Sequence, residues 1–129
     1  MAHALAAEMR WMELLCLGSY TPAGAAELMN PSEPDPACIL ALHRSGELLA
    51  FEYAGELWVP EYQFAGGTVL PVITQLVAVA RGAGASDTDL CLWMDTGSTL
   101  LTGQGTPADH LADAAQVIEA AHIHFEAVW

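Results

Sequence analysis

Residues 48 to 64 read LLAFEYAGELWVPEYQF, and their spacing predicts a β-hairpin set between helical segments. Leu49, Phe51 and Tyr53 alternate with Ala50 and Glu52, Ala54-Gly55 supplies the turn, and Leu57 and Val59 alternate with Glu56 and Trp58. Pro60 has no N–H to donate and ends the second strand. Tyr62-Gln63-Phe64 reads as an extended link, and Gly66-Gly67 turns the chain.

Upstream of the hairpin the period is helical. Residues 3 to 17 put Leu5, Met9, Met12 and Cys16 on one stripe, widened by Trp11, Leu14 and Leu15, and Gly18 stops that helix. Thr21-Pro22 opens a short second helix that Asn30-Pro31 closes. The proline-rich acidic segment NPSEPDP follows, and its Asp35-Pro36 opens a third helix in which Cys38, Ile39 and Leu42 face inward before Ser45-Gly46. Two short helices and a strand pair have the layout of a winged helix-turn-helix, here with a long acidic turn. The second of those helices offers only His43 and Arg44 as cationic candidates.

Downstream, Ile73, Leu76, Val77 and Ala80 mark a helix over 69 to 81, broken by Gly82-Ala83-Gly84. Ser86 with Asp89 forms a capping box for a helix bearing Leu90, Cys91, Trp93 and Met94. In the stretch LLTGQGTPADHL (100 to 111), Thr106-Pro107 with Asp109 starts a short helix. Asp113 with Gln116 then starts a last helix of about fifteen residues. The expected fold is mostly α, about six helices with one β-hairpin. Residues 1–66 form a degenerate winged helix-turn-helix-like region suited to dimerisation, and residues 67–129 a helical binding region.

Composition narrows the partners. The 129 residues are 53% hydrophobic and 15% charged, which excludes intrinsic disorder. The N-terminal stretch carries Glu8, Arg10 and Glu13 among apolar residues and reads as an amphipathic helix rather than a signal peptide, so the expected compartment is the cytoplasm. No apolar run reaches the length of a membrane span. The fixed positive charges are Arg10, Arg44 and Arg81 alone, and the formal charge is −13. DNA binders commonly neutralise about six to ten phosphates, so the charge argues against DNA as a partner.

Cys16, Cys38 and Cys91 share no CxxC spacing and read as buried free thiols. His122 and His124 lie about 200° apart on a helix and cannot share one metal ion, with His122 expected beside the Ile118 face and His124 outward. Asp109 and Asp113 have cap roles that explain them without acid–base chemistry. Gly103-x-Gly105 lacks both a preceding strand and a following lysine, so it does not make a phosphate loop. No catalytic group, cofactor or metal is expected.

Several pieces match a family together, in order and spacing. WVPEYQF at 58 to 64 with Pro60, Gln63 and Phe64, VLP at 69 to 71, LCLWM at 90 to 94 with Trp93, and LLTGQGTPADHL with Leu101, Gly103, Pro107 and Leu111 resemble the Xre/MbcA/ParS-type antitoxins over roughly residues 40 to 129. The resemblance implies a protein that silences a RES-domain toxin, an NAD-degrading enzyme, by plugging its active-site cleft with the last helix and tail. Carried over, the toxin-binding residues are His122, Phe125, Glu126, Val128 and Trp129. The acidic segment at 30 to 36 and the scarcity of basic residues depart from the family pattern, and with it from promoter binding.

Physical chemistry supports such a plug independently. A tryptophan filling a pocket buries on the order of 200 Å², a gross gain of about 5 kcal/mol before ordering costs. The alternative is that Trp129 folds back onto its own core or onto a dimer mate. Two other function classes stand beside the antitoxin: a DNA-binding regulator built on residues 19 to 60, and a dimeric scaffolding protein paired through the N-terminal helix.

Overall fold

The computed structural model describes residues 16–96 and 105–126. A two-residue strand, β1 (Ser19–Tyr20), leads into the helix α1 (Pro22–Met29). The Thr21 hydroxyl accepts the Gly24 N–H at 3.1 Å, and Pro22 at the first helical position has no N–H to waste. Helix α2 (Pro36–Ser45) repeats the device, the Asp35 carboxylate accepting the Ala37 N–H at 3.0 Å. It ends at Gly46, whose φ of 84° lets the Gly46 and Glu47 N–H groups reach the last carbonyls. Ala25, Ala26 and Ile39 close a small core against Leu48, Ala50 and Val59.

The hairpin forms as β2 (Phe51–Tyr53) and β3 (Glu56–Pro60), with Phe51 opposite Trp58. Ala54 (φ 55°) and Gly55 (φ 80°) both sit in the left-handed region, the two-residue turn whose twist suits paired strands. β1 adds to the far edge of β3, Tyr20 opposite Val59, giving a three-stranded antiparallel sheet in the order β1-β3-β2. A second, two-stranded hairpin joins β4 (Phe64–Ala65) to β5 (Thr68–Val69) across the Gly66-Gly67 turn.

Helices α3 (Pro71–Gly82), α4 (Asp87–Met94) and α5 (Ala114–Phe125) complete the described elements. The larger core gathers Val72, Ile73, Leu76, Val77 and Ala80 of α3, Leu90, Cys91, Trp93 and Met94 of α4, and Val117, Ala120 and Ala121 of α5, closed by Leu49 and Phe51. The Ser86–Asp89 capping box is formed, both bonds at 3.0 Å. Asp109 reaches back to the Thr106 N–H at 3.0 Å, and Asp113 caps α5 through Gln116. Gly105 is required before that start: its φ is 109°, and a Cβ there would lie 2.7 Å from the Asp109 carboxylate.

The described residues hold five α-helices, so the fold is mostly helical with small antiparallel sheets, but several expectations need correction. The helix over 3 to 17 lies outside the described residues except for Cys16 and Leu17. One hairpin was expected; β1 and the β4–β5 pair are additional, because segments of two residues are too short to show a period. Residues 61 to 63 are a 3₁₀ turn rather than an extended link. Leu48, Leu49 and Ala50 are all buried, so alternation fails before β2, where the chain is enclosed on both sides. Cys38 is exposed, since Ile39 is the residue of α2 that turns to the core. The short helix after Thr106 is a 3₁₀ turn, Pro107–His110, and the last helix has 12 residues. The expected division near residue 66 falls at the turn between β4 and β5.

Candidate interaction surface at the end of the last helix

α5 packs along α3, with Val117, Ala120 and Ala121 buried along its inner side. Its C-terminal turn carries Phe125, which packs against the edge of the larger core. There Phe125 meets Trp93 edge-on at 5.6 Å between ring centroids, and His124 stacks on the same indole at 5.7 Å. His122 pairs through Nδ1 with the Glu126 carboxylate one turn on. Ile123 is 50% exposed, a large aliphatic side chain left in water at the tip of the helix.

Two clefts flank this turn. One, of about 690 Å³, lies between the ends of α3 and α5 and is lined by Ala78, Val79, Gly82 and Ala83 opposite His122, Phe125 and Glu126. The other, of about 410 Å³, is lined by Leu92, Trp93 and Thr96 with His124 and Phe125, and by Asp89 at its rim. Phe125 is the wall they share. The surface therefore offers apolar hollows with carboxylates at their edges, which suits a side chain or peptide segment of another protein. The described residues contain no group of three or more histidine, cysteine or carboxylate side chains able to hold a metal ion.

Of the residues singled out from the sequence, His122, Phe125 and Glu126 come together here, and Val128 and Trp129 lie outside the described residues, as do Leu101 and Gly103. Trp93 supports the surface from below. Pro107 and Leu111 are buried where the chain approaches α5. His122 lies one turn after Ile118 and one turn before Glu126; it is exposed and pairs with the Glu126 carboxylate through the i,i+4 spacing. His124 is exposed yet lies on Trp93. The small residues of α3 that line the first cleft were missed, although Ala78 and Gly82, four apart on its outward face, carried the signal.

Pro60, Gln63 and Phe64 hold the frame from a distance. Gln63 is fully buried: its Oε1 accepts the Leu49 N–H at 2.8 Å, and its Nε2 donates to the carbonyls of Leu49 at 2.7 Å and Pro60 at 2.9 Å. Phe64 packs edge-on against Tyr20 at 5.9 Å. Burial pushes the thiol of Cys91 and the phenol of Tyr62 well above their ordinary ranges, which keeps both neutral and unreactive.

A second set of charged groups ties the two halves together. The Arg81 guanidinium donates to both oxygens of Asp87, at 3.0 and 2.8 Å, and to the carbonyl of His43 at 2.9 Å. His43 Nε2 lies 2.8 Å from the same carboxylate. Burial pushes the Asp87 carboxyl up, but hydrogen bonds from His43 and Arg81 and the arginine charge outweigh it and hold it at about 2.

No family model matches the chain, and no curated protein matches it. It is similar to a solved structure, Rv2175c determined by NMR, with a TM-score of 0.73 at 22% identity, over 83% of this chain and 80% of that one. At that identity the likeness is one of fold.

Proposed function

We propose that this chain is the antitoxin of a type II toxin–antitoxin pair, and that it restrains a RES-domain, NAD-degrading enzyme in the cytoplasm by laying the end of α5 and the residues after it into that enzyme's cleft. The observation that carries this reading is the apolar helix tip, with Ile123 half in water and Phe125 fixed between two clefts by Trp93. An aromatic and an aliphatic side chain left partly in water on a helix offer apolar surface that a partner can bury. The residues that carry the family resemblance also have a role in this reading: Gln63 locks the frame, and Trp93, Pro107 and Leu111 hold α5 in place.

The test is co-expression with a RES-domain enzyme encoded beside this chain, following cellular NAD. A chain lacking Phe125 to Trp129 stays folded in this reading and loses inhibition, whereas full inhibition by the shortened chain overturns it.

A second reading has one observation in its favour. The run of strand, two helices and ribbon, with sheet order β1-β3-β2, resembles a winged helix-turn-helix, with α2 in the place of a reading helix. That reading makes the chain a DNA-binding regulator. Yet the outward side of α2 carries Ala37, Cys38, Leu40 and Ala41, with Arg44 its one arginine, which leaves few donors for phosphates or base edges. Retardation of promoter DNA by this chain at about 150 mM salt is the result that favours it.

A further inference from the structure

The outward side of α2 is apolar over most of its length and cationic at its end. Ala37, Cys38, Leu40, Ala41 and Arg44 share that side, and Leu40 is 43% exposed. Beside them runs a cleft of about 490 Å³ lined by Leu40, His43, Arg44, Glu52, Leu57, Arg81 and Asp87. Arg81 and His43 are committed to Asp87, whereas Arg44 has no ion pair among the described residues. In a chain of formal charge −13, both described arginines stand at this one cleft.

The complementary piece lies at the other end of the same helix. Residues 30 to 36, NPSEPDP, are all exposed; they carry Glu33 and Asp35, and Pro31, Pro34 and Pro36 restrict the backbone before any contact is made. At about 1.5 Å per residue, the eight steps from Pro36 to Arg44 span about 12 Å, so this segment does not reach the Arg44 end of the cleft in its own chain.

We propose that two copies of this chain pair reciprocally through α2, the acidic proline segment of each lying against Leu40 and Arg44 of the other. An antiparallel pairing of the two α2 helices about a two-fold axis sets the segment of each copy opposite the arginine of its mate, so both contacts form at once and the interface closes. Ala37 and Ala41 let the helices approach closely, and Leu40 fills the centre. Elsewhere two such acidic surfaces repel; here Arg44 meets Glu33. The face of a three-turn helix is smaller than a standard interface, so the pair is weak and depends on concentration and salt.

Sedimentation equilibrium of the full chain over a range of concentrations tests this, with Arg44→Glu, Glu33→Arg and their equimolar mixture. Both substitutions lie on exposed side chains, and a circular dichroism melt verifies each fold. Wild type is expected to self-associate, and each variant to do so at least about 10-fold more weakly, because like charges then face each other at both contacts. The mixture is expected to recover. In a mixed pair the new carboxylate at position 44 of one chain faces the new guanidinium at position 33 of the other, and the second contact keeps its native Arg44 and Glu33. A monomeric wild type, variants that associate as wild type does, or a mixture that does not recover would each overturn the proposal.

Discussion

Gln63 ties the 3₁₀ turn after β3 to Leu49, the residue two positions ahead of β2. Its amide takes the N–H and C=O of Leu49 and the carbonyl of Pro60, all inside the molecule. Gln63→Leu keeps the volume but strands those backbone groups, and stranded buried groups cost more than the bonds they lose. The expected loss is about 3 kcal/mol, read as a lower urea midpoint with an unchanged slope. Ala54 makes the opposite case. Its φ of 55° is costly for alanine and tolerable for asparagine, so Ala54→Asn is expected to raise stability by about 0.5–1 kcal/mol in the same measurement.

Among the elements, the decisive junction is the one between the end of α2, the end of α3 and the start of α4, where Asp87 receives Arg81 and His43. Arg81 keeps 36% of its side chain in water, so screening reduces the pair's contribution, and Asp87→Asn is expected to cost about 1 kcal/mol. The pH dependence follows from the lowered carboxyl. Asp87 titrates at about 2 in the folded chain, below its ordinary value of 3.8. Its contribution is full above that ordinary value and is lost as pH falls through about 2. The stability difference between wild type and Asp87→Asn, taken from denaturant titrations at successive pH values, should be constant above pH ~5 and shrink toward zero near pH ~2.

For the whole molecule, the packing of α5 on α3 and α4 buries Val117, Ala120 and Ala121 and leaves Ile123 half exposed near the C-terminal end of the helix. Ile123→Arg changes an exposed side chain, so the fold should hold within about 0.5 kcal/mol, while binding of the proposed partner enzyme should weaken by about 10-fold or more. Trp93→Ala removes the floor under Phe125 and His124 and should cost about 3–5 kcal/mol of stability. Calorimetry of both variants beside the NAD assay separates the two: equal loss of stability in both would remove the distinction between tip and floor.

The three helix starts at Thr21, Asp35 and Ser86, the hairpin at Ala54-Gly55, and the core residues of α3 and α4 are legible in residue order alone, because caps, turns and periodicity act within a few residues. The same is true of the charge balance that weighs against DNA. What residue order does not contain is contact across distance. Gln63 looks like part of a loop until Leu49 is beside it; Cys38 and Ile39 are neighbours of similar hydrophobicity until packing turns one outward. The pairing of β1 with β3, the wall that Ala78 and Gly82 make for Phe125, and the meeting of His43 with Asp87 join residues far apart along the chain. Local chemistry chose the elements, and burial of their apolar faces against one another chose which residues met.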